Sequence, residues 1–382
     1  MIRPRGDLKT SSSGLFGDIP RREAHCMSAK VFAEKVRSDL RVDKGYLAAP
    51  SVDYRYIWDR DTVYASLPDT FLDPGRYAAA IRGLLDISIS DEASYRKLEW
   101  LIKDPPRCGS ADAWRFPHAK HNPDGSETTE PWGHKQYDAY GAKLFAIGDG
   151  ERRGIGIIRG DDDLRIINLY ARFLYACRFW EDPDFGMWEE GDDPSLGLFR
   201  YEVHASSIGA VRAGLASVSR FLEAEEKEMT EEAIFLADRT LAGLLPRESQ
   251  RKEVDLSLLS LVFPYNLVRE DLADEIIGLI ESRLLGEKGV CRYRGDIFHA
   301  FENREAEWPF GLYWLALSHA RRGRFGKAAD YLRWGDSVCL ADDDRPFPEL
   351  YVGGRYPNDH APLGWCASMC LMARRAVAGL PF

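Results

Sequence analysis

Apolar residues recur every three or four positions along most of this chain. Over residues 28–40, Val31, Phe32, Val36 and Leu40 fall on one face, which predicts an amphipathic helix. The same spacing predicts helices over 62–72, 76–87, 136–147, 163–180, 205–222, 231–244, 257–263, 273–285, 311–321, 327–334 and 362–377. The Asp73-Pro74 pair suits the start of the third. Strand signals are sparse: Gly289-Val-Cys-Arg-Tyr and Ile155-Gly-Ile-Ile read as short hairpin pieces within loops. Residues 104–133, rich in Pro, Gly, His and Trp, predict a long irregular region of the kind that usually carries function.

About a dozen helices without an intervening linker predict an all-α fold of concentric helical layers, with the long loops gathered at one end. An α-solenoid would show a motif at a fixed period, and none is present. Residues 1–25 carry charge and a Ser11-Ser-Ser-Gly run without an apolar core, predicting a poorly ordered or extended segment ahead of one domain over 26–382.

Composition narrows the partners. A formal net charge of -10 over 382 residues argues against nucleic acid and against an anionic membrane surface, and no apolar run approaches a membrane span. Ten tryptophans and 12% aromatic residues suit a large core or a cleft that receives sugar rings. Cysteines at 26, 108, 177, 291, 339, 366 and 370 are odd in number and lack a C-x-x-C pair, which fits reduced thiols in a cytoplasm. No metal ligand spacing and no phosphate-cradling glycine loop occurs, so neither a metal nor an organic cofactor is implied. Oligomeric state is not legible.

The candidate chemistry centres on Asp184-Phe-Gly-Met-Trp-Glu-Glu-Gly191, between two predicted helices. Successive side chains in a loop point different ways. One glutamate can enter a pocket beside Trp188, where indole burial would raise its pKa, while the other anchors the loop or contacts a ligand. A solvated acidic turn, extended by Asp192 and Asp193, is the plainer alternative.

Four segments, Asp53-Tyr-Arg-Tyr-Ile-Trp-Asp-Arg-Asp61, Trp132-Gly-His-Lys-Gln-Tyr-Asp138, Gly186-Met-Trp-Glu-Glu190 and Pro348-Glu-Leu-Tyr351, stand in an order and spacing that resembles glycoside hydrolase family 15, the glucoamylases. They also resemble the amino-terminal domains of phosphorylase kinase α and β subunits. Asn122-Pro-Asp-Gly-Ser126 and Phe301-Glu-Asn-Arg-Glu-Ala-Glu-Trp-Pro309 add to the likeness, the latter nearer the kinase subunits. The resemblance implies an (α/α)6 barrel with its active site at one end of the inner ring. It implies that Glu189 is the general acid and Glu349 the base that activates water, an inverting chemistry with carboxyls roughly 6.5 to 9.5 Å apart. Asp61 and Arg60 would bind the innermost glucose, Trp58 would wall it, and Tyr54 would stand by the base. Trp132 would stack on the next sugar, with Trp188 and Glu190 alongside. Gln136 and Asp138 would be rim contacts or ties between loop and helix.

Outside the resemblance, Glu349 reads as an ordinary solvated acid and Arg60 with Asp61 as a local salt bridge. For the second sugar subsite, Arg304, Glu305 and Glu307 are candidates. The Glu-Trp-Pro run follows the kinase-subunit version, and His134 takes a place that is often basic in the family. The expected activity is exo-acting release of glucose from the nonreducing ends of short α-glucans. A trehalase of the same family and a non-catalytic glucan-binding or regulatory domain are the alternatives.

Overall fold

Six helices close a ring in the computed structural model, which describes residues 29–90, 92–106, 115–130, 132–191 and 201–382. The helices are α1 (Ala29–Asp39), α2 (Asp59–Ser66), α3 (Pro74–Ser90), α4 (Glu92–Lys103), α5 (Tyr137–Arg152), α6 (Asp161–Ala176) and α7 (Ala205–Val218). They continue as α8 (Ala224–Leu244), α9 (Leu259–Val262), α10 (Glu270–Arg283), α11 (Phe310–Arg321), α12 (Phe325–Cys339) and α13 (Gly364–Val377). Helices α2, α5, α7, α9, α11 and α13 touch in that order, and α13 returns to α2. Around them lie α1 on α13, α3 on α2 and α5, α6 between α3 and α8, α8 on α7, α10 on α9, and α12 on α11 and α13. The chain thus alternates outer and inner helices in an (α/α)6 barrel, with α4 as an addition against α3 and α6.

Burial separates the two rings. Along α8 the inward residues Glu226, Thr230, Ala233, Ala237 and Leu241 follow the helical period, flanked by the half-buried Ile234, Leu236 and Leu244, and the opposite face meets water. Inner helices are covered on both sides. In α11 every residue but the last is buried, and in α5 even Asp138, Lys143 and Asp149 are. Such positions need internal partners: Lys143 Nζ on α5 meets Asp59 of α2 at 2.7 Å, with His121 Nε2 3.5 Å from the same carboxylate. On the outside, Arg37 of α1 pairs with buried Asp69 at 2.6 Å.

The inner ring is tightest between α5 and α7. A Cβ on Gly141 would run into the backbone of Ala210 and Val211, one on Gly214 into the carbonyl of Gly141, and one on Gly148 into Ser217. These glycines let two helix backbones pack almost directly on each other.

The structure corrects several sequence expectations. The helix expected over 62–72 ends at Ser66, and a separate turn, Asp69–Leu72, follows Pro68, whose ring opposes a continuous helix. Helix α4, Glu92–Lys103, is one that the spacing does not predict, since its inward face is narrow: Ser94, Leu98 and Leu101. Residues 155–158 form no strand. Glu151 captures the amide of Ile158 at 2.7 Å and that of Ile157, and Arg82 takes the carbonyls of Gly156 and Ile157. In the other expected hairpin piece, Val290 makes single bridges to Leu285 and Trp308. The strand pairs among the described residues are Arg41–Val42 with Gly45–Tyr46, Ile57–Trp58 with Lys120–His121, and Tyr351–Val352 with Tyr356–Pro357. Cys177, Cys291, Cys339, Cys366 and Cys370 are buried and free. Residues 1–25, Cys26, Cys108, Asp192 and Asp193 lie outside the described residues. No described helix is long and apolar enough to cross a membrane.

Candidate active site

Because inner helices alternate with outer ones, all six run the same way and their N-termini gather at one end of the ring. A cavity of about 480 Å³ opens there. Its wall takes Arg60 and Asp61 from the first turn of α2, Phe310 from the start of α11 and Trp365 from the start of α13. The segments leading into α2, α5, α7, α11 and α13 supply the rest, including Tyr54, Trp132, Glu189, Arg292 and Glu349. Helix N-termini carry positive ends of the peptide dipoles, a setting that suits carboxylates.

Of the ten residues the sequence nominates, Tyr54, Trp58, Arg60, Asp61, Trp132, Trp188, Glu189, Glu190 and Glu349 line this one cavity. Gln136 does not. It is fully buried behind the wall, donating to the Gly133 carbonyl at 2.7 Å and accepting from Arg60 Nη1 at 3.3 Å, so it ties a loop to the arginine and offers no rim contact.

Glu189 sits at the tip of its loop with φ of 59°, in the left-handed region that side chains other than glycine seldom occupy. Gly186, at φ 63°, makes the turn possible, and a Cβ there would lie 2.8 Å from the His204 ring. The next residue fixes the loop. Glu190 accepts from Lys252 Nζ at 2.5 Å and from the Tyr293 hydroxyl, with Arg292 Nη2 at 3.5 Å. Burial opposes its ionisation, but Lys252 and Arg292 outweigh that and hold its carboxyl at about 2. Of the two roles open to the paired glutamates, anchoring therefore falls to Glu190. Trp188 is fixed too, its indole donating to Asp255 Oδ1 at 2.8 Å.

Glu189 Oε1 accepts from Arg60 Nη2 at 2.7 Å, while Arg60 Nη1 reaches Asp138 at 2.8 Å. Withdrawal from water nevertheless raises the Glu189 carboxyl above the usual range, against the pull of Arg60. Glu349 stands elsewhere in the cavity, on the loop before α13. Its Oε1 accepts from the Tyr54 hydroxyl at 2.8 Å and its Oε2 from Asn358 Nδ2 at 2.7 Å. Burial raises this carboxyl as well, with those two hydrogen bonds opposing. Asp61 has no hydrogen-bond partner among the described residues, and burial, with Glu189 and Glu349 nearby, lifts it to about 7.

Aromatic rings complete the wall. Trp58 meets Trp132 edge-on at 6.2 Å between centroids, and Lys120 Nζ stands 4.1 Å from the centre of the Trp132 ring. Tyr54 stacks on His360 at 3.9 Å. Motif reasoning misses Arg292, Phe298, His299, Trp308, Phe310, His360 and Trp365, all in the wall. Trp308 falls within the 301–309 run, and Arg292 within a stretch that reads only as a strand. Arg304, Glu305 and Glu307 are not in the wall: Glu305 accepts from Gly295 N at 3.1 Å and Glu307 from Lys288 N at 2.6 Å. His134 is buried, stacked 3.6 Å from His118, and burial lowers its pKa to about 2. Among the described residues no group of three or more His, Cys, Asp or Glu is placed to hold a metal ion.

The family model described as glycosyl hydrolases family 15 matches residues 33–333. Among curated relatives, the regulatory α subunit of phosphorylase b kinase, skeletal muscle isoform, from Mus musculus is 30% identical over 280 residues, 64% of this chain and 22% of that protein. A probable regulatory α subunit of the same kinase from Caenorhabditis elegans is 29% identical over 249 residues, 58% of this chain and 20% of that one. The chain spans about a fifth of the length of these relatives. Among solved structures, a wild-type glycosidase aligns with a TM-score of 0.74 at 20% identity, covering 96% of this chain and 100% of that one. A glucoamylase from Saccharomycopsis fibuligera aligns with a TM-score of 0.58 at 16% identity, covering 92% and 96%. Both share the fold.

Proposed function

Since the chain belongs to glycosyl hydrolase family 15, we propose that it hydrolyses α-glucosides from their nonreducing ends with inversion, releasing glucose from short α-glucans. One observation carries the reading: Glu189 and Glu349, 160 positions apart in sequence, line the same aromatic cavity with their carboxyls held differently. Glu189 is the general acid that gives its proton to the departing glycosidic oxygen. Glu349, oriented through both oxygens by Tyr54 and Asn358, is the base that takes a proton from the attacking water.

Asp61 and Arg60 hold hydroxyls of the nonreducing glucose, and Trp58 and Trp132 offer apolar faces to sugar rings. The partnerless Asp61 carboxyl supports this, since hydroxyl donors from a sugar would satisfy it. A solved glycosidase of the same fold bears the description "in complex with glucose". Glucan or oligosaccharide is thus the proposed partner, with no organic cofactor, and one domain over 26–382 the proposed unit.

The second reading, a glucan-binding regulatory domain without turnover, is favoured by the regulatory subunits among the relatives. Proton NMR of fresh reactions with maltose, maltotriose, isomaltose and trehalose separates the readings. β-Glucose as first product supports the hydrolase and its inversion, and the substrate that yields it separates the glucan hydrolase from the trehalase. Saturable binding of the sugars without release of glucose supports the regulatory domain and ends the hydrolase reading.

A further inference from the structure

A general acid must carry its proton when the leaving oxygen departs, yet Glu189 is gripped by a cation that favours the opposite state. Arg60 is 4% exposed, and Nη1 of its fork is committed from behind to Asp138 and Gln136. Toward the cavity it offers Nη2, which donates to Glu189 at 2.7 Å. Glu189 is equally constrained, by its positive φ and by the anchored Glu190 beside it.

The other charges facing this pair are Asp138 on α5, Asp61 on α2, Glu349 before α13, and Lys120 on the strand paired with Ile57–Trp58. Lys120 is engaged by Glu130 at 2.9 Å and lies over the rings of Tyr56 and Trp132, so Arg60 is the cation in contact with Glu189. A neutral sugar entering the cavity changes two things together. Its hydroxyl oxygens compete for Nη2, and its bulk removes water from the carboxylate. Both work against the ionised form.

We propose that Arg60 keeps Glu189 ionised while the cavity is empty, and that sugar binding releases Glu189 to take up the proton it later delivers. This rests on the hydrolase reading above. The proton comes from solvent and adds to a Glu189 oxygen. It passes to the glycosidic oxygen as the bond to C1 breaks and its electron pair goes to that oxygen, while Arg60 stays charged.

The test is calorimetric titration of the wild-type protein with a maltose analogue bridged by sulfur, near pH 7, in buffers of different ionisation heat. Asp61 adds its own share, so the deciding quantity is the difference between wild type and Glu189→Gln. We expect proton uptake by wild type to exceed that of Glu189→Gln by roughly half a proton or more per site, and wild-type affinity to fall by up to about tenfold per pH unit above neutrality. Equal uptake by the two proteins, with wild type still releasing glucose from maltose, overturns this inference and leaves the hydrolase reading standing. No binding and no glucose release overturns that reading and the inference with it.

Discussion

The Tyr54 hydroxyl donates to Oε1 of Glu349 across 2.8 Å, joining the approach to α2 with the loop before α13. The phenol is itself held well above its ordinary pKa by burial and by Glu349, so it remains a donor. Its hydrogen bond favours the ionised carboxylate that a base requires. Tyr54→Phe removes the donor and leaves the ring stacked on His360. We expect kcat to fall by about ten- to a hundredfold with KM changed much less. The acidic limb of the kcat/KM profile should move to higher pH, because Glu349 then ionises less readily. A limb that stays in place would disconnect Tyr54 from the base.

Removing either carboxyl should be more severe. Glu189→Gln and Glu349→Gln should each lower glucose release by about two to four orders of magnitude. Thermal unfolding followed by circular dichroism should stay close to wild type, since neither residue anchors a helix. Near-normal turnover after either substitution rejects the assigned role.

Glu190 should behave in the opposite way, as a stability residue. Its Lys252 and Arg292 partners are almost wholly enclosed, so Glu190→Gln leaves two buried cations short of a carboxylate and should cost about 3 kcal/mol at pH 7. The folded pKa of about 2 lies below the usual value of 4.5. The stabilisation is therefore complete above about pH 5 and is lost as pH falls through the folded value. Denaturant unfolding of both proteins at several pH values should show the gap narrowing from about pH 5 toward pH 2. A gap independent of pH would mean that the charge on Glu190 is not what holds the loop.

Trp132 lines the cavity against Trp58 and beneath Lys120. Trp132→Ala should raise KM for maltose by about tenfold, the loss of one stacking surface. Unchanged KM would place the second sugar elsewhere.

Much of this architecture is legible from spacing alone. The outer helices announce themselves because one face is dry and the other wet, as along α8, although this helix begins at Ala224 rather than at the expected 231, with the polar Glu226 and Thr230 facing inward in its first turns. The break at Pro68 is written in the sequence, but the apolar residues on either side mask it. Motif order nominates most of the cavity. Motifs do not say which way a side chain turns: Glu189 and Glu190 are neighbours, and only Lys252 and Arg292, 62 and 102 positions on from Glu190, decide which of them is tied down. Gln136 stays open for the same reason, since its fate depends on Arg60. Phe298 and His299 are unreadable because irregular loops have no period to betray them.

The glycine seam between α5 and α7 bears on how this cavity can be remodelled. Two staves set backbone to backbone leave no room for added atoms, so Gly141→Leu should yield insoluble or unfolded protein, where a soluble, fully active product would show the seam to be slack. Engineering toward bulkier glycosides would then have to cut into the loops over 292–299 and 349–360, because the girth of the ring at that joint is already at its minimum.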